Sequence, residues 1–185
     1  FGDGASAGIV RCNLDKNRII KLKFLTDGRF SEMQKLNLGY RMPFVDAIPL
    51  EWFTIDFHKL AIQELAPNGE DLREQLKWYQ RVMKEGSLQI MNELLTECEL
   101  EKSEIDYILA YNYNRPALQE FANSLDLPLE KTTWYISEYC GHLGPADIFY
   151  NFTRLKEDGK IKSGDKVAVF SAGSGYSWSA GLIEI

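Results

Sequence analysis

Two histidines occur in the chain, His58 and His142, and the second stands where chemistry is easiest to build. It lies in Cys140-Gly141-His142-Leu143-Gly144-Pro145, a glycine-flanked corner that opens a helical stretch. An imidazole held there can serve as a general base toward a hydroxyl, amine or thiol, or simply cap the helix that follows. A second polar corner, Tyr111-Asn112-Tyr113-Asn114-Arg115, follows a short apolar run. It offers a phenol, two amides and a guanidinium, or equally a packed tyrosine, turn-forming asparagines and a solvated charge. A third corner, Gly173-Ser174-Gly175-Tyr176-Ser177-Trp178, reads as a glycine-rich turn between strands. The first and last corners can converge on one pocket. Asp147, five residues after His142, reads as favourable negative charge at a helix N-terminus.

The elements that must hold these corners follow from periodicity. From residue 87 the expected order is helix, strand, helix, strand, helix, strand, strand. Leu72, Leu76, Tyr79 and Met83, then Ile90, Met91, Leu94, Leu95 and Cys98, recur at helical spacing over Glu70 to Cys98, with Gly86 as a point where the helix kinks or splits. Strands are expected at Ile105 to Ala110, Thr132 to Ile136, Lys166 to Phe170 and Trp178 to Glu184. Helices are expected at Arg115 to Ser124 and Gly144 to Glu157, each with an early proline. Upstream, a strand is expected within Gly4 to Asn13. Arg18 to Leu25 alternates as a half-buried strand, with Ile20, Leu22 and Phe24 on the apolar side and Lys21 and Lys23 on the other. Alternating strands and helices predict an α/β fold with a largely parallel sheet, and the last two strands should pair antiparallel. The corners at Tyr111 and His142 both follow expected strands, the place where open α/β sheets bind ligands.

Bulk properties exclude several classes. The chain has 185 residues, 45% of them hydrophobic, and a formal net charge of −6. That suits one domain, or a large half of a bigger one. Lysine and arginine form no stripe, so neither nucleic acid nor an anionic membrane is an expected partner. No apolar run is long enough to cross a bilayer. Three scattered cysteines, Cys12, Cys98 and Cys140, read as reduced thiols of a cytoplasmic protein. No metal site is expected. Asp56-Phe57-His58 reads as a surface histidine beside an acid. Gly4-Ala5-Ser6-Ala7-Gly8 fits the nucleophile-elbow pattern of serine hydrolases, but the elbow needs a helix after it and a strand is expected here. The chain starts at Phe1 without a methionine and reads as a fragment.

Taken together, three anchors resemble the C-terminal half of β-ketoacyl-acyl-carrier-protein synthase III, of the thiolase superfamily. They are Phe1-Gly2-Asp3-Gly4-Ala5, Lys160-Ile161-Lys162-Ser163-Gly164-Asp165, and Gly173-Ser174-Gly175-Tyr176-Ser177-Trp178. The resemblance covers residues 1–28 and 76–185, and matches 29–75 poorly. It implies a thiolase-like α/β fold: the C-terminal half, a mixed five-stranded sheet with helices on both faces, plus the last strands of the N-terminal half. Residues 1–28 would belong to the N-terminal half, 29–75 to an irregular connection and 76–185 to the C-terminal domain. It also implies a homodimer and an acyltransferase chemistry in which an acyl group passes from a coenzyme A or phosphopantetheine thioester to a cysteine upstream of Phe1. Acyl-CoA or acyl carrier protein would be the partner, with no bound cofactor.

The family's catalytic His falls on Tyr111 and its Asn on His142, so this sequence departs from the ketosynthase pattern at both positions. The resemblance places His142, Tyr111 and Ser174, the last through its backbone N–H in an oxyanion hole, as catalytic. It places Asn112, Asn114, Arg115, Gly173 and Gly175 around the substrate. A lone histidine suits base-assisted acyl transfer better than decarboxylative condensation. A catalytically silent partner subunit is the alternative.

Overall fold

The computed structural model describes residues 4–28, 72–173 and 176–185. Segment 29–71 lies outside the described residues, and with it the Asp56-Phe57-His58 reading. The chain divides into two compact units: Phe1–Leu25 with Lys84–Ala172 and Trp178–Ile185, and Thr26–Met83 with Gly173–Ser177.

Four strands and four α-helices are present among the described residues: β1 (Arg18–Thr26), α1 (Leu72–Glu97), β2 (Tyr107–Ala110), α2 (Arg115–Ser124), α3 (Trp134–Cys140), α4 (Asp147–Glu157), β3 (Lys166–Gly173) and β4 (Ser177–Glu184). They form a mixed α/β arrangement around one sheet of order β1-β4-β3-β2. Strands β2 and β3 run parallel, with Tyr107 opposite Val167 and Ala110 opposite Phe170. All four residues of β2 are buried, as expected of a parallel strand covered on both faces. Tyr107, Leu109 and Val167 meet Leu155 of α4 and Ile161 in one core cluster. On the opposite face, Met91 and Leu95 of α1 share the lining of a small apolar space with Ala168 of β3. Period-two alternation along β3 separates these two faces.

Three sequence expectations give way to other arrangements. Thr132 to Ile136 is no strand. Thr132 makes one parallel bridge to Ile108, and α3 begins at Trp134. Side chains supply what a ladder would have supplied. Thr133 Oγ1 accepts from the Ala110 amide at 3.2 Å and donates to the Ala110 carbonyl at 2.9 Å, so one hydroxyl satisfies both backbone groups of the last β2 residue. Residues 4–13 form no strand either, and Ile9 and Val10 stand exposed. In β1 the faces are reversed: Ile20, Leu22 and Phe24 are 42%, 54% and 75% exposed. The lysine side turns toward α1, where Lys21 pairs with Glu97 at 2.6 Å, and Lys23 with Glu93 at 3.1 Å and with Glu97. The side of this strand that meets the helix therefore carries ion pairs in place of an apolar stripe. The first unit thus carries four strands in its described sheet, one fewer than expected.

Helix α1 runs unbroken through Gly86. In the second unit the Asp27 amide donates to the Tyr176 carbonyl at 2.9 Å and the Tyr176 amide to Gly173 at 3.1 Å. Lys77 pairs with Glu74 one turn away at 2.6 Å. Among the described residues no helix is long and apolar enough to cross a membrane.

The Lys–Glu cluster between β1 and α1 has a pH signature. Hydrogen bonds from Lys21 and Lys23 hold the Glu97 carboxyl down to about 2, from an ordinary 4.5. A carboxyl depressed on folding stabilises the native state above its unfolded value and loses that contribution as pH falls toward its folded value. Glu97→Gln is therefore expected to flatten the loss of stability between about pH 4.5 and 2. Urea midpoints measured across that range check it.

Candidate active site

The site is built where β2 ends. Beyond Ala110 the chain keeps its sheet contact for one more residue, the Tyr111 amide donating to the Phe170 carbonyl at 3.2 Å. It then turns into α2, capped by Asn114, whose side chain accepts from the Ala117 amide at 3.0 Å. Asn114 so serves the helix N-terminus. Asn114→Ala is expected to cost about 1 kcal/mol, read as a lowered urea midpoint. The Arg115 guanidinium stacks 4.7 Å above the Trp134 ring.

The second wall comes from α3. That helix ends at Gly141, whose φ of 64° and ψ of −160° lie in a region essentially reserved for glycine. A 3-10 turn over Gly144–Ala146 then leads into α4. Asp147, at the head of α4, is fully buried. Its Oδ2 lies 2.5 Å from His142 Nδ1 and accepts from the Asn112 amide at 2.9 Å. Its Oδ1 accepts from the Leu143 amide at 2.8 Å. A carboxylate facing Nδ1 makes that nitrogen the N–H donor, which leaves the lone pair of a neutral ring on Nε2. The His142 side chain is 36% exposed, its Asp147 partner not at all.

Tyr111 meets His142 edge-on, with ring centroids 5.9 Å apart, and packs on Tyr113 and Phe170 at 5.4 and 6.0 Å. The structure thus brings Tyr111, Asn112 and His142 together. Asn112 is buried, and its amide is spent on protein groups: it donates to the Gly141 carbonyl at 2.7 Å and accepts from Asn151 at 2.8 Å. Gly173 ends β3, and a Cβ there would meet nothing within 4 Å. Ser174 and Gly175 lie outside the described residues. Among the described residues no cluster of three or more His, Cys, Asp and Glu is placed to hold a metal ion.

Ser6 of the elbow-like motif does not address the histidine. Its hydroxyl donates to the Ala146 carbonyl at 3.2 Å, and no helix follows it. Gly4 and Gly8 have another use: a Cβ on either would press on Leu143 or Phe149. The motif is a close-packed strap over the His142 corner rather than a nucleophile elbow. Cys140 is no reactive thiolate either. Burial, and then the Asp147 charge, push its thiol up, and it donates to the Ile136 carbonyl at 3.2 Å.

Sequence reasoning missed the weight of Asp147 and gave no role to Asn151, whose Asn151-Phe152-Thr153 stretch fits a glycosylation sequon. The available signal was their four-residue spacing, which puts both on one face of α4 beneath the only histidine in the C-terminal 45 residues.

These features define a thiolase-like α/β fold carrying a His–Asp pair at the carboxyl end of a parallel strand. Residues 95–185 match the family model described as 3-oxoacyl-[acyl-carrier-protein] synthase III, C terminal. The chain is 28% identical over 182 residues to β-ketoacyl-[acyl-carrier-protein] synthase III of Prochlorococcus marinus, and 29% identical over 178 residues to that of Microcystis aeruginosa. These alignments take in 98% and 96% of this chain but 50% and 49% of the relatives. Among solved structures, the acyltransferase ChlB3 superposes with a TM-score of 0.70 at 19% identity, over 94% of this chain and 48% of that one. The synthase III of Aquifex aeolicus gives 0.65 at 20%, over 94% and 46%. The family model and the relatives alike make this chain similar to the C-terminal half of synthase III-like proteins of the thiolase superfamily. It spans about half the length of the curated relatives it matches.

Proposed function

We propose that this chain carries the acceptor-activating half of a thioester-dependent acyltransferase, acting as a cytoplasmic homodimer on acyl-CoA or acyl carrier protein. The observation that carries this reading is the buried Asp147 carboxylate on His142 Nδ1. In the first step a cysteine thiolate borne outside Phe1–Ile185 attacks the thioester carbonyl. The acyl group passes to the cysteine, and the coenzyme A or phosphopantetheine thiolate leaves. In the second step an acceptor hydroxyl or amine attacks the cysteine-bound acyl carbon. His142 Nε2 takes the acceptor's proton as the new C–O or C–N bond forms, and the cysteine thiolate departs. Asp147 holds the required tautomer and faces the positive charge that the ring acquires. Tyr111, edge-on to the ring, contributes a phenolic donor toward the acyl carbonyl. Arg115 meets the phosphate of the donor arm.

A condensing enzyme needs two neutral hydrogen-bond donors where an enolate develops. A histidine tied to a buried carboxylate is a proton acceptor instead, which favours transfer to a heteroatom over carbon–carbon bond formation. The same pairing weighs against a silent partner subunit: nothing in packing alone calls for a carboxylate 2.5 Å from an imidazole, and burying one is costly.

The test uses the full-length protein with acyl-CoA donors of several chain lengths. Intact mass should rise by one acyl group, and peptide mapping should place it on a cysteine other than Cys12, Cys98 or Cys140. Added alcohol or amine acceptors should discharge it, whereas malonyl-carrier protein should release no carbon dioxide. Absence of any adduct, or decarboxylative condensation, overturns the reading.

A further inference from the structure

One residue holds the His142 corner from four directions. Asn112 is 2% exposed. Its Nδ2 donates to the Gly141 carbonyl at 2.7 Å and contacts Cys140 Sγ at 3.4 Å. Its Oδ1 accepts from Ser137 Oγ at 3.2 Å and from Asn151 Nδ2 at 2.8 Å. Its backbone amide donates to the same Asp147 oxygen that faces His142. The bonds reach the last turn of α3, the residue before His142 and two residues of α4. Asn151 adds a tie back to the Ala110 carbonyl at 2.9 Å.

The side-chain orientation is fixed by chemistry. Gly141 presents a carbonyl, and Ser137 and Asn151 present donors, so only one amide orientation satisfies all three. A buried network in which this side chain is fully paired favours one arrangement over its neighbours. Gly141 itself sits in a glycine-only backbone conformation, and such a conformation persists only where its surroundings over-determine it. The bond from Asn112 to the Gly141 carbonyl is one such restraint, a single residue ahead of His142.

We propose that Asn112 is a positioning residue: it fixes the Gly141 peptide and the Asp147 carboxylate together, and thereby sets the orientation and tautomer of the His142 ring. The catalytic consequence rests on the acyltransferase reading; the effect on the ring does not. Misplacement of a base by about 1 Å lowers a rate by about 10²-fold.

The test is Asn112→Asp in the full-length protein, which keeps the shape but sets an oxygen against the Gly141 carbonyl. Proteins labelled with ¹⁵N-histidine are compared by imidazole NMR at a pH where the ring is neutral, with the His142 signals assigned by their loss in His142→Gln. In the wild type the ring should be almost wholly the Nδ1–H tautomer. In Asn112→Asp a mixture should appear, with acyl transfer to the acceptor down about 10²-fold, KM for the acyl donor unchanged and cysteine acylation retained. A folded variant with the wild-type tautomer overturns the proposal, even if its stability has dropped. Should Asn112→Asp fail to fold, Ser137→Ala removes a single donor to the same amide. A tautomer shift of the same sign but smaller size supports the proposal, and an unchanged ring overturns it. If the wild type transfers no acyl group, the acyltransferase reading falls while the NMR comparison still decides the role of Asn112.

Discussion

On the acyltransferase reading, replacing Asp147 by Asn in the full-length protein should lower acyl transfer to the acceptor by about 10²–10⁴-fold while cysteine acylation persists. The effect follows from where the protons must sit. Asp147 offers acceptors to His142 Nδ1, the Asn112 amide and the Leu143 amide. Asparagine offers one oxygen and one NH₂. If the NH₂ takes the Oδ2 position, it donates to Nδ1 and forces the proton onto Nε2, which ends the ring's service as a base. If it takes the Oδ1 position, it faces the Leu143 N–H, and two donors oppose each other in a fully buried place. A buried unsatisfied group of this kind costs about 1–3 kcal/mol, so the unfolding midpoint should fall in either orientation. His142→Ala removes the base outright and should reproduce the transfer defect without the donor clash. Single-turnover measurements separate the two steps: the acyl-cysteine should form and then persist. Equal transfer rates in wild type and His142→Ala would remove the histidine from the mechanism. Equal loss of acylation and transfer would instead assign it to the first step.

How far the chain was legible differs from element to element, and the reasons are physical. The parallel pair β2–β3 was readable because strands covered on both faces become short continuous apolar runs, and Tyr107–Ala110 is one. Helix α1 was readable from its spacing, but the meaning of Gly86 was not, since a glycine that breaks a helix and one that seats a ring look alike in sequence. The stretch at Thr132 misled because β-branched residues favour strands, while here the hydroxyls of Thr132 and Thr133 close a turn and cap β2 through side-chain bonds. In β1 the alternation was correct and its direction was not: Lys21 and Lys23 found Glu93 and Glu97 on a helix far along the chain, a pairing no local window contains. The His142 corner was visible from its flanking glycines. Its partner Asp147 was visible too, but a carboxylate at a helix start has an ordinary explanation in the helix dipole. Only the fold shows that this carboxylate is buried and bonded to the ring.

The largest stability effect is expected where α1 crosses β4. Trp178 is almost fully buried, and its six-membered ring lies against Gly86. A Cβ at Gly86 would stand 2.8 Å from both Cε2 and Cζ2, closer than real side chains allow. Two effects of Gly86→Ala therefore oppose each other. Alanine in the interior of a helix is favoured over glycine by about 1 kcal/mol. Overpacking against a buried ring typically costs about 1–3 kcal/mol. The ring is rigid and cannot yield as the end of a flexible chain would, so the clash should win and the variant should unfold at lower denaturant concentration. Trp178→Ala should cost more, about 3–5 kcal/mol, through lost burial and the cavity left behind. The loss includes no hydrogen bond, because the indole Nε1 has no partner in the described structure. The decisive measurement is the double substitution. In a Trp178→Leu background the ring atoms that obstruct Gly86 are gone, and Gly86→Ala should become stabilising by roughly 1 kcal/mol. A change of sign between the two backgrounds gives a coupling free energy of the kind that packed neighbours show. If Gly86→Ala has the same effect in both, the glycine is there for the helix and not for the ring.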